Sequence, residues 1–261
     1  MSTLRLYVAY ISVALRSDLQ YRASFALTAL GRFLITMSGF IGLRFLFSGF
    51  QAVKGYAYAD ILLCFAVMQL SFALAEGFAR GFCAFSSAVR RGEFDRMLVR
   101  PRGTIVQVLG SQVDVGRLGP IVSALAILIA GLRIHPATMT PLRLFALVTM
   151  TAGGVLLFVG LFMIGAAICF FSIEESSSIN VLTYGAKEHG KYPIDIYGKG
   201  LFRFCTFVIP YTLVQYYPLQ VLIGHSDRAL YALYPLGALF FLGICYAFWR
   251  FGVSRYTSCG S

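Results

Sequence analysis

Five groups of residues in this chain carry side chains able to do chemistry, and each points to a different kind. Gly185-Ala-Lys-Glu-His-Gly-Lys191 has the G-x-x-x-x-G-K spacing of a loop that cradles phosphate with backbone N–H groups, but Tyr192 stands where such a loop needs Ser or Thr to hold Mg²⁺. Ile179, Val181 and Leu182 pass for a preceding strand, yet the sequence has no further α/β pattern to complete a nucleotide-binding sheet. ATP binding by this chain itself is therefore not expected. His135, His189 and His225 lie in three separate connections, with no acid or cysteine at ligand spacing. They read as solvated loop histidines, so neither a catalytic residue nor a metal ligand is assigned. Cys64, Cys83, Cys169, Cys205, Cys245 and Cys259 form no C-x-x-C pair, and most sit in apolar runs, where cysteine acts as a small hydrophobe.

The fourth group is ionisable and lies within or beside apolar segments, where charge is costly and therefore informative. Glu76 and Arg80 are spaced i,i+4, Asp114 and Arg117 are spaced i,i+3, and Arg32 and Arg44 stand in the first apolar run. The spacing predicts two intrahelical pairs near an interface, with Arg32 and Arg44 reaching toward opposite headgroup layers. The acids are too few, and too near the segment ends, for a proton relay. The fifth group is the charged island Arg90, Arg91, Gly92, Glu93, Phe94, Asp95, Arg96, Met97 and Leu98, continuing through Arg100, Pro101 and Arg102. Glu93 and Asp95 add specificity that a purely basic, lipid-facing loop would not need.

The elements that must position these groups follow from composition. With 58% hydrophobic residues, 13% charged, 24 Phe and 15 Tyr, and a mean hydropathy of +0.76, the chain is more apolar than a soluble core of this size can bury. The apolar runs approach or exceed the ~20 residues of a membrane-crossing helix rather than the ~10 of a barrel strand. An all-α integral membrane protein is expected, with crossings near Phe25 to Phe47, Ala59 to Ala79, Thr104 to Leu132, Leu142 to Phe171, Ile196 to Leu222 and Ala229 to Phe251. Six crossings place both termini on one side. On that side fall Arg5, Arg16 and Arg22, then Arg80 with the island, then Lys187, Lys191, Lys199 and Arg203, and finally Arg250 and Arg255. They outnumber Lys54, Arg133, Arg143 and Arg228 on the other. The excess of positive charge makes the first side cytoplasmic. The net charge of +11 suits an anionic inner leaflet, so membrane lipid is a partner and nucleic acid is not.

No cleaved signal is expected at the N-terminus. Arg5, Ser12, Arg16 and Gln20 share one helix face and Leu4, Tyr7, Val8, Ile11 and Leu15 another, which predicts an interfacial helix over 1–24. The residues 25–79 carry spans one and two, 80–103 the charged loop, 104–251 spans three to six and 252–261 a tail, all in one domain. Ser172-Ile-Glu-Glu175 has a capping-box pattern that predicts a short cytoplasmic helix, ended by Gly185 or Gly190. Gly116, Gly119 and Pro120 interrupt the third span, while Gly153, Gly154, Gly160 and Gly165 predict close helix packing along the fourth. Pro210 and Pro218 bracket Tyr211, Tyr216 and Tyr217 in the fifth. Two readings stand open there: a re-entrant segment that bends back before the last helix, or an outer aromatic belt.

Val89-Arg-Arg-Gly-Glu-Phe-Asp-Arg-Met-Leu-Val-Arg-Pro101, following the second span, resembles the permease subunits of ABC-2 type transporters, in the branch with a GEFDRLLLRP-like loop. The resemblance continues at Tyr192-Pro-Ile-Asp-Ile-Tyr197, Phe207-Val-Ile-Pro-Tyr211 and Phe248-Trp-Arg-Phe-Gly-Val-Ser-Arg-Tyr256, with Met97 and Val99 in place of leucines. It implies a non-catalytic permease of an exporter in the bacterial plasma (inner) membrane. The island would be a coupling helix docked in a separate cytoplasmic ATPase, present in two copies, which binds the ATP and Mg while this chain holds no cofactor. A second permease, identical or related, completes the assembly. In that role a helix from about Ser86 would present Phe94, Met97 and Leu98 to the ATPase, and Pro101 would stop it. Amphipathic, drug-like or lipid-like cargo fits such a family and an aromatic, Gly-rich path. A secondary transporter would need a midplane ion site and usually an internal repeat, and a membrane enzyme a nucleophile and base at one depth. The sequence displays none of these.

Overall fold

A computed structural model describes residues 3–135, 138–171 and 181–257. Apart from a hairpin of β1 (Ala52–Val53) and β2 (Tyr56–Ala57), the regular elements among the described residues are helices. Helix α1 (Thr3–Gln20) runs into α2 (Arg22–Ser48) with a break at Tyr21, whose φ of −109° and ψ of 62° leave the helical range. Next come α3 (Tyr58–Cys83), α4 (Phe85–Arg90), α5 (Glu93–Leu98), α6 (Thr104–Ser111), α7 (Leu118–Ile134) and α8 (Pro141–Ile168). Beyond these lie α9 (Ala186–His189), α10 (Lys199–Phe207), α11 (Tyr211–Val214), α12 (Tyr216–Leu222), α13 (Ala229–Leu233) and α14 (Gly237–Arg255).

Among the described residues, five helical stretches are long and apolar enough to cross a membrane: Arg22–Ser48, Tyr58–Arg90, Val115–Ile134, Pro141–Ile168 and Ala229–Arg255. Central among them is α3, 89% buried over its apolar window and packed on α7 and α8, whereas the α2 window is only 11% buried. Local sequence explains where these helices begin. The Asp60 carboxylate accepts from the Ala57 N–H at 2.9 Å and also favours the positive end of α3. In α8 the Thr140 hydroxyl accepts from the Arg143 N–H at 3.3 Å, ahead of Pro141, whose missing N–H costs nothing in a first turn. The α8 glycines pack as their spacing predicts: a Cβ on Gly153 would meet Pro235 at 2.7 Å, and one on Gly154 the Ser71 hydroxyl at 2.5 Å.

Two expected crossings are broken. Thr104 to Leu132 is not one helix, because Gln112 is extended (φ −144°, ψ 118°) and a 3₁₀ turn over Val115–Arg117 precedes α7. Pro120 forces this: a helix continuing through it would place the proline ring against the carbonyl of Gly116 and lose a hydrogen bond. The break also brings α6 against α3 closely enough that a Cβ on Gly81 would overlap the Val108 carbonyl.

Ile196 to Leu222 departs further from a single span. It is divided among a 3₁₀ turn (Ile194–Tyr197), α10, α11 and α12. Gly198 at φ +100° ends the turn, in a conformation that favours glycine. Pro210 follows α10, and Pro218 falls in the first turn of α12. Helices α10 and α12 fold back on each other, with the Phe202 and Tyr216 rings 5.2 Å apart and Thr212 donating to the Phe202 carbonyl at 3.4 Å. Tyr211 meets Phe158 and Gly224 meets Arg143, so this limb climbs about 22 Å along α8.

The chain instead traverses the bundle upstream of that hairpin. Tyr184 bonds Glu76, the Gly190 carbonyl meets Cys64, and Asp195 bonds Tyr56, so residues 184–195 run antiparallel to α3 from its charged end to its far end. The part of α3 from Tyr58 to Glu76 alone rises about 27 Å, too far for this segment as a helix, and it is accordingly irregular. Lys187 lies inside the bundle, while Lys199 and Arg203 follow the turn at the far end. These three were expected in a loop on the charged side with the island. The expected capping box at Ser172 lies outside the described residues.

Candidate functional site

The charged island begins as α4 and turns sharply at Gly92, whose φ of +64° is the left-handed conformation glycine adopts at least cost. The turn aims Phe94 back at the bundle. Its side chain is fully buried, with ring centroids 5.1 Å from Phe85, 5.3 Å from Phe170, 5.1 Å from Tyr256 and 6.4 Å from Trp249. This aromatic box joins α5 to α4, to the end of α8 and to α14. Gln107, 3% exposed in α6, fastens the rest by donating to the carbonyls of Met97 and Arg102, each at 3.0 Å. What remains outward is Arg90, Arg91, Arg96, Leu98 and Val99, the last 83% exposed. Arg91 pairs with Glu93 at 2.8 Å, and Asp95 is partly buried.

Beside the loop, the helix break before α7 opens a gap into which six polar side chains converge. Glu76, with no solvent exposure, pairs with Arg80 at 2.6 Å and with Arg117, and accepts from the Tyr184 hydroxyl at 2.9 Å. Asp114 pairs with Arg32 at 2.7 Å and Arg117 at 3.2 Å, with Arg80 at 4.0 Å. Burial acts to raise the Asp114 carboxyl pKa, but the bond and charge of Arg32, then Arg117 and Arg80, outweigh it and hold the group below its ordinary value. The i,i+4 and i,i+3 pairs expected from spacing are present. They are also fused into one knot that ties α2, α3, the α7 entrance and the Tyr184 segment together.

A third constellation holds the irregular segment 184–195. The Gln215 amide, fully buried, donates to the carbonyls of Gly190 at 2.9 Å and Tyr192 at 2.8 Å and to the Cys64 sulfur at 3.1 Å, while its oxygen accepts from the Ile194 N–H at 3.2 Å. It thereby satisfies backbone that no helix satisfies, as an apolar surrounding demands. At the far end, Tyr56 donates to Asp195 at 2.9 Å and accepts from Gln220 at 2.7 Å. Burial first, and the adjacent Asp195 charge second, push the Tyr56 hydroxyl well above its ordinary pKa.

The family model described as ABC-2 family transporter protein matches residues 33–260. The chain belongs to the ABC-2 transporter family. No curated protein and no solved structure matches it. It is thus a multi-pass membrane permease subunit of an ABC transport system.

Within this permease several expectations need correction. Phe94 does not face a partner, because Gly92 turns it into the aromatic box; of the three apolar residues expected outward, Met97 is partly buried and Leu98 is exposed. Arg32 pairs with Asp114 instead of reaching for headgroups. His135 is not a solvated loop residue, since its ring bonds Asp60 at 2.9 Å with its side chain 6% exposed. The 185–191 loop offers no N–H cradle, because the amides of Gly190, Lys191 and Tyr192 are spent on the Ala186, Glu188 and His189 carbonyls. Tyr211 is buried against α8 and is no belt residue, whereas Tyr216 and Tyr217 join a cluster with Tyr231 and Tyr234; Pro218 is buried beside them. Gln107 and Gln215 were missed. Their only sequence signal is a polar amide inside an otherwise apolar segment.

Proposed function

We propose that this permease is the transmembrane half of an exporter whose loop 84–103 docks on a separate cytoplasmic ATPase. The observation that carries the reading is the anchoring of that loop. Phe94 in its box and Gln107 on its carbonyls tie the island to α6, the end of α8 and α14, so a push on the outward residues is delivered to the crossing helices rather than absorbed by a slack loop. Leu98 and Val99 supply the apolar contact that Phe94 does not, and Arg90, Arg91 and Arg96 supply charge around it.

On this reading the island side is cytoplasmic in a bacterial inner membrane, together with both termini. Residues 181–195 make a crossing between α8 and the α10–α12 hairpin, bringing the total to six, and the hairpin is a re-entrant element entered from outside. With Lys199 and Arg203 moved outward, the positive-charge bias weakens but keeps its sign. Two ATPase copies and a second permease, identical or related, complete the transporter, and ATP and Mg are bound by the ATPase. The cargo is amphipathic or lipid-like. Leu98→Glu with Val99→Glu should abolish co-purification with the ATPase and its stimulation while the protein still inserts and folds. Full ATP-dependent transport by that variant would remove the loop from the coupling role.

A further inference from the structure

On the side of the charged knot facing away from the island lies a cavity of about 100 Å³, lined by Arg32, Thr36, Gln69, Phe72, Arg117 and Lys187, several times the ~30 Å³ share of one liquid water. Two features of its lining are unexplained by the fold. First, the four cations of the knot and cavity, Arg32, Arg80, Arg117 and Lys187, outnumber the described acids that act on them, Glu76 and Asp114 within the knot and Glu188 beside Lys187. Lys187 makes no ion pair there, its ammonium lying 4.8 Å above the Phe72 ring. Uncompensated positive charge in such a setting is costly unless an anion joins it. Second, Gln69 is 7% exposed, and its carbonyl oxygen has no hydrogen-bond donor among the described residues. An acceptor left bare beside three cations requires a ligand that brings a hydroxyl as well as a negative charge.

We propose that this cavity binds a hydroxyl-bearing phosphate group, with Lys187, Arg32 and Arg117 around the oxyanion and Gln69 accepting from the hydroxyl. A carboxylate would meet the cations but leave Gln69 bare. The rim runs past Ile35, 71% exposed on α2, whose outer face continues with exposed Leu27, Leu34 and Ile41. A phosphate with an acyl chain could therefore enter sideways and lay the chain along α2. The ligand is then the headgroup of an anionic amphiphile. Calling it the cargo rests on the export reading; the binding site itself does not.

The test uses the permease alone, with neither ATPase nor nucleotide, in phosphatidylcholine nanodiscs titrated with phosphatidic acid, and in a second arm the detergent-solubilised protein titrated with inorganic phosphate. Lys187→Met should weaken binding by about tenfold or more, the scale of one charge-assisted hydrogen bond, and Lys187→Arg should restore most of it. Gln69→Leu should weaken binding without lowering the melting temperature, since it removes an unpaired buried amide, and it tests the site even if Lys187→Met fails to fold. Binding in the nanodisc arm alone supports the headgroup, and binding in both arms supports phosphate from either source. No phosphate binding in either arm, or binding unchanged in Lys187→Met and Gln69→Leu, overturns the site. Intact binding alongside failed ATPase docking would overturn the export reading alone.

Discussion

Replacing Phe94 by alanine is the sharpest probe of how the loop is held. The ring is fully buried and touches four other aromatic rings, from α4, the end of α8 and the last helix. Truncating such a phenylalanine costs about 3–5 kcal/mol when the cavity cannot collapse, and a box walled by rigid rings collapses poorly. The crossing helices do not depend on it, so the loss falls on a local opening of residues 93–99 rather than on the whole bundle. At about 1.4 kcal/mol per decade, the open population rises by roughly two to three orders of magnitude. Amide hydrogen exchange of peptides covering 93–99 should accelerate by that order, while peptides from α3 and α8 keep wild-type protection. Phe94→Leu retains much of the apolar volume and should recover most of the protection. Exchange of 93–99 within about threefold of wild type in Phe94→Ala, on the scale of the loss above, would refute the anchoring argument and the lever built on it.

Glu76→Gln should lower the melting temperature of the detergent-solubilised protein more than any other conservative change in the knot, because it strips Arg80 and Arg117 of a fully buried partner at a cost of about 3–5 kcal/mol; an unchanged melt would show that the knot adds nothing. Gln215→Leu keeps the volume but strands two carbonyls and one N–H, each worth about 1–3 kcal/mol when buried. It should raise hydrogen exchange across 190–194, and wild-type protection there would mean the crossing is held otherwise. Asp114 sets a pH dependence: its folded pKa is depressed, so its contribution is present at neutral pH and is lost as pH falls below the ordinary Asp value of about 3.9. Melting measured between pH 6 and pH 3 should therefore fall more steeply in wild type than in Asp114→Asn, and parallel curves would contradict the assignment.

Composition and periodicity alone determined that this chain is a helical membrane protein, and they located five of its crossings, because long apolar runs with few charges leave the bilayer only one economical backbone. The i,i+3 and i,i+4 carboxylate–arginine pairs and the unusual loop were likewise legible, since both depend on neighbours along the chain. The tertiary structure decided what sequence distance conceals. The irregular segment held by Gln215 carries no apolar signature, because its backbone is satisfied by a side chain twenty-odd residues away instead of by its own helical turns. Phe94 reads as a contact residue until Gly92 turns it inward, a matter of one dihedral angle. Separate ion pairs become one knot, and Lys187 becomes a cation beside a cavity, only when the break at Pro120 and the return of the chain past α3 bring them to the same depth.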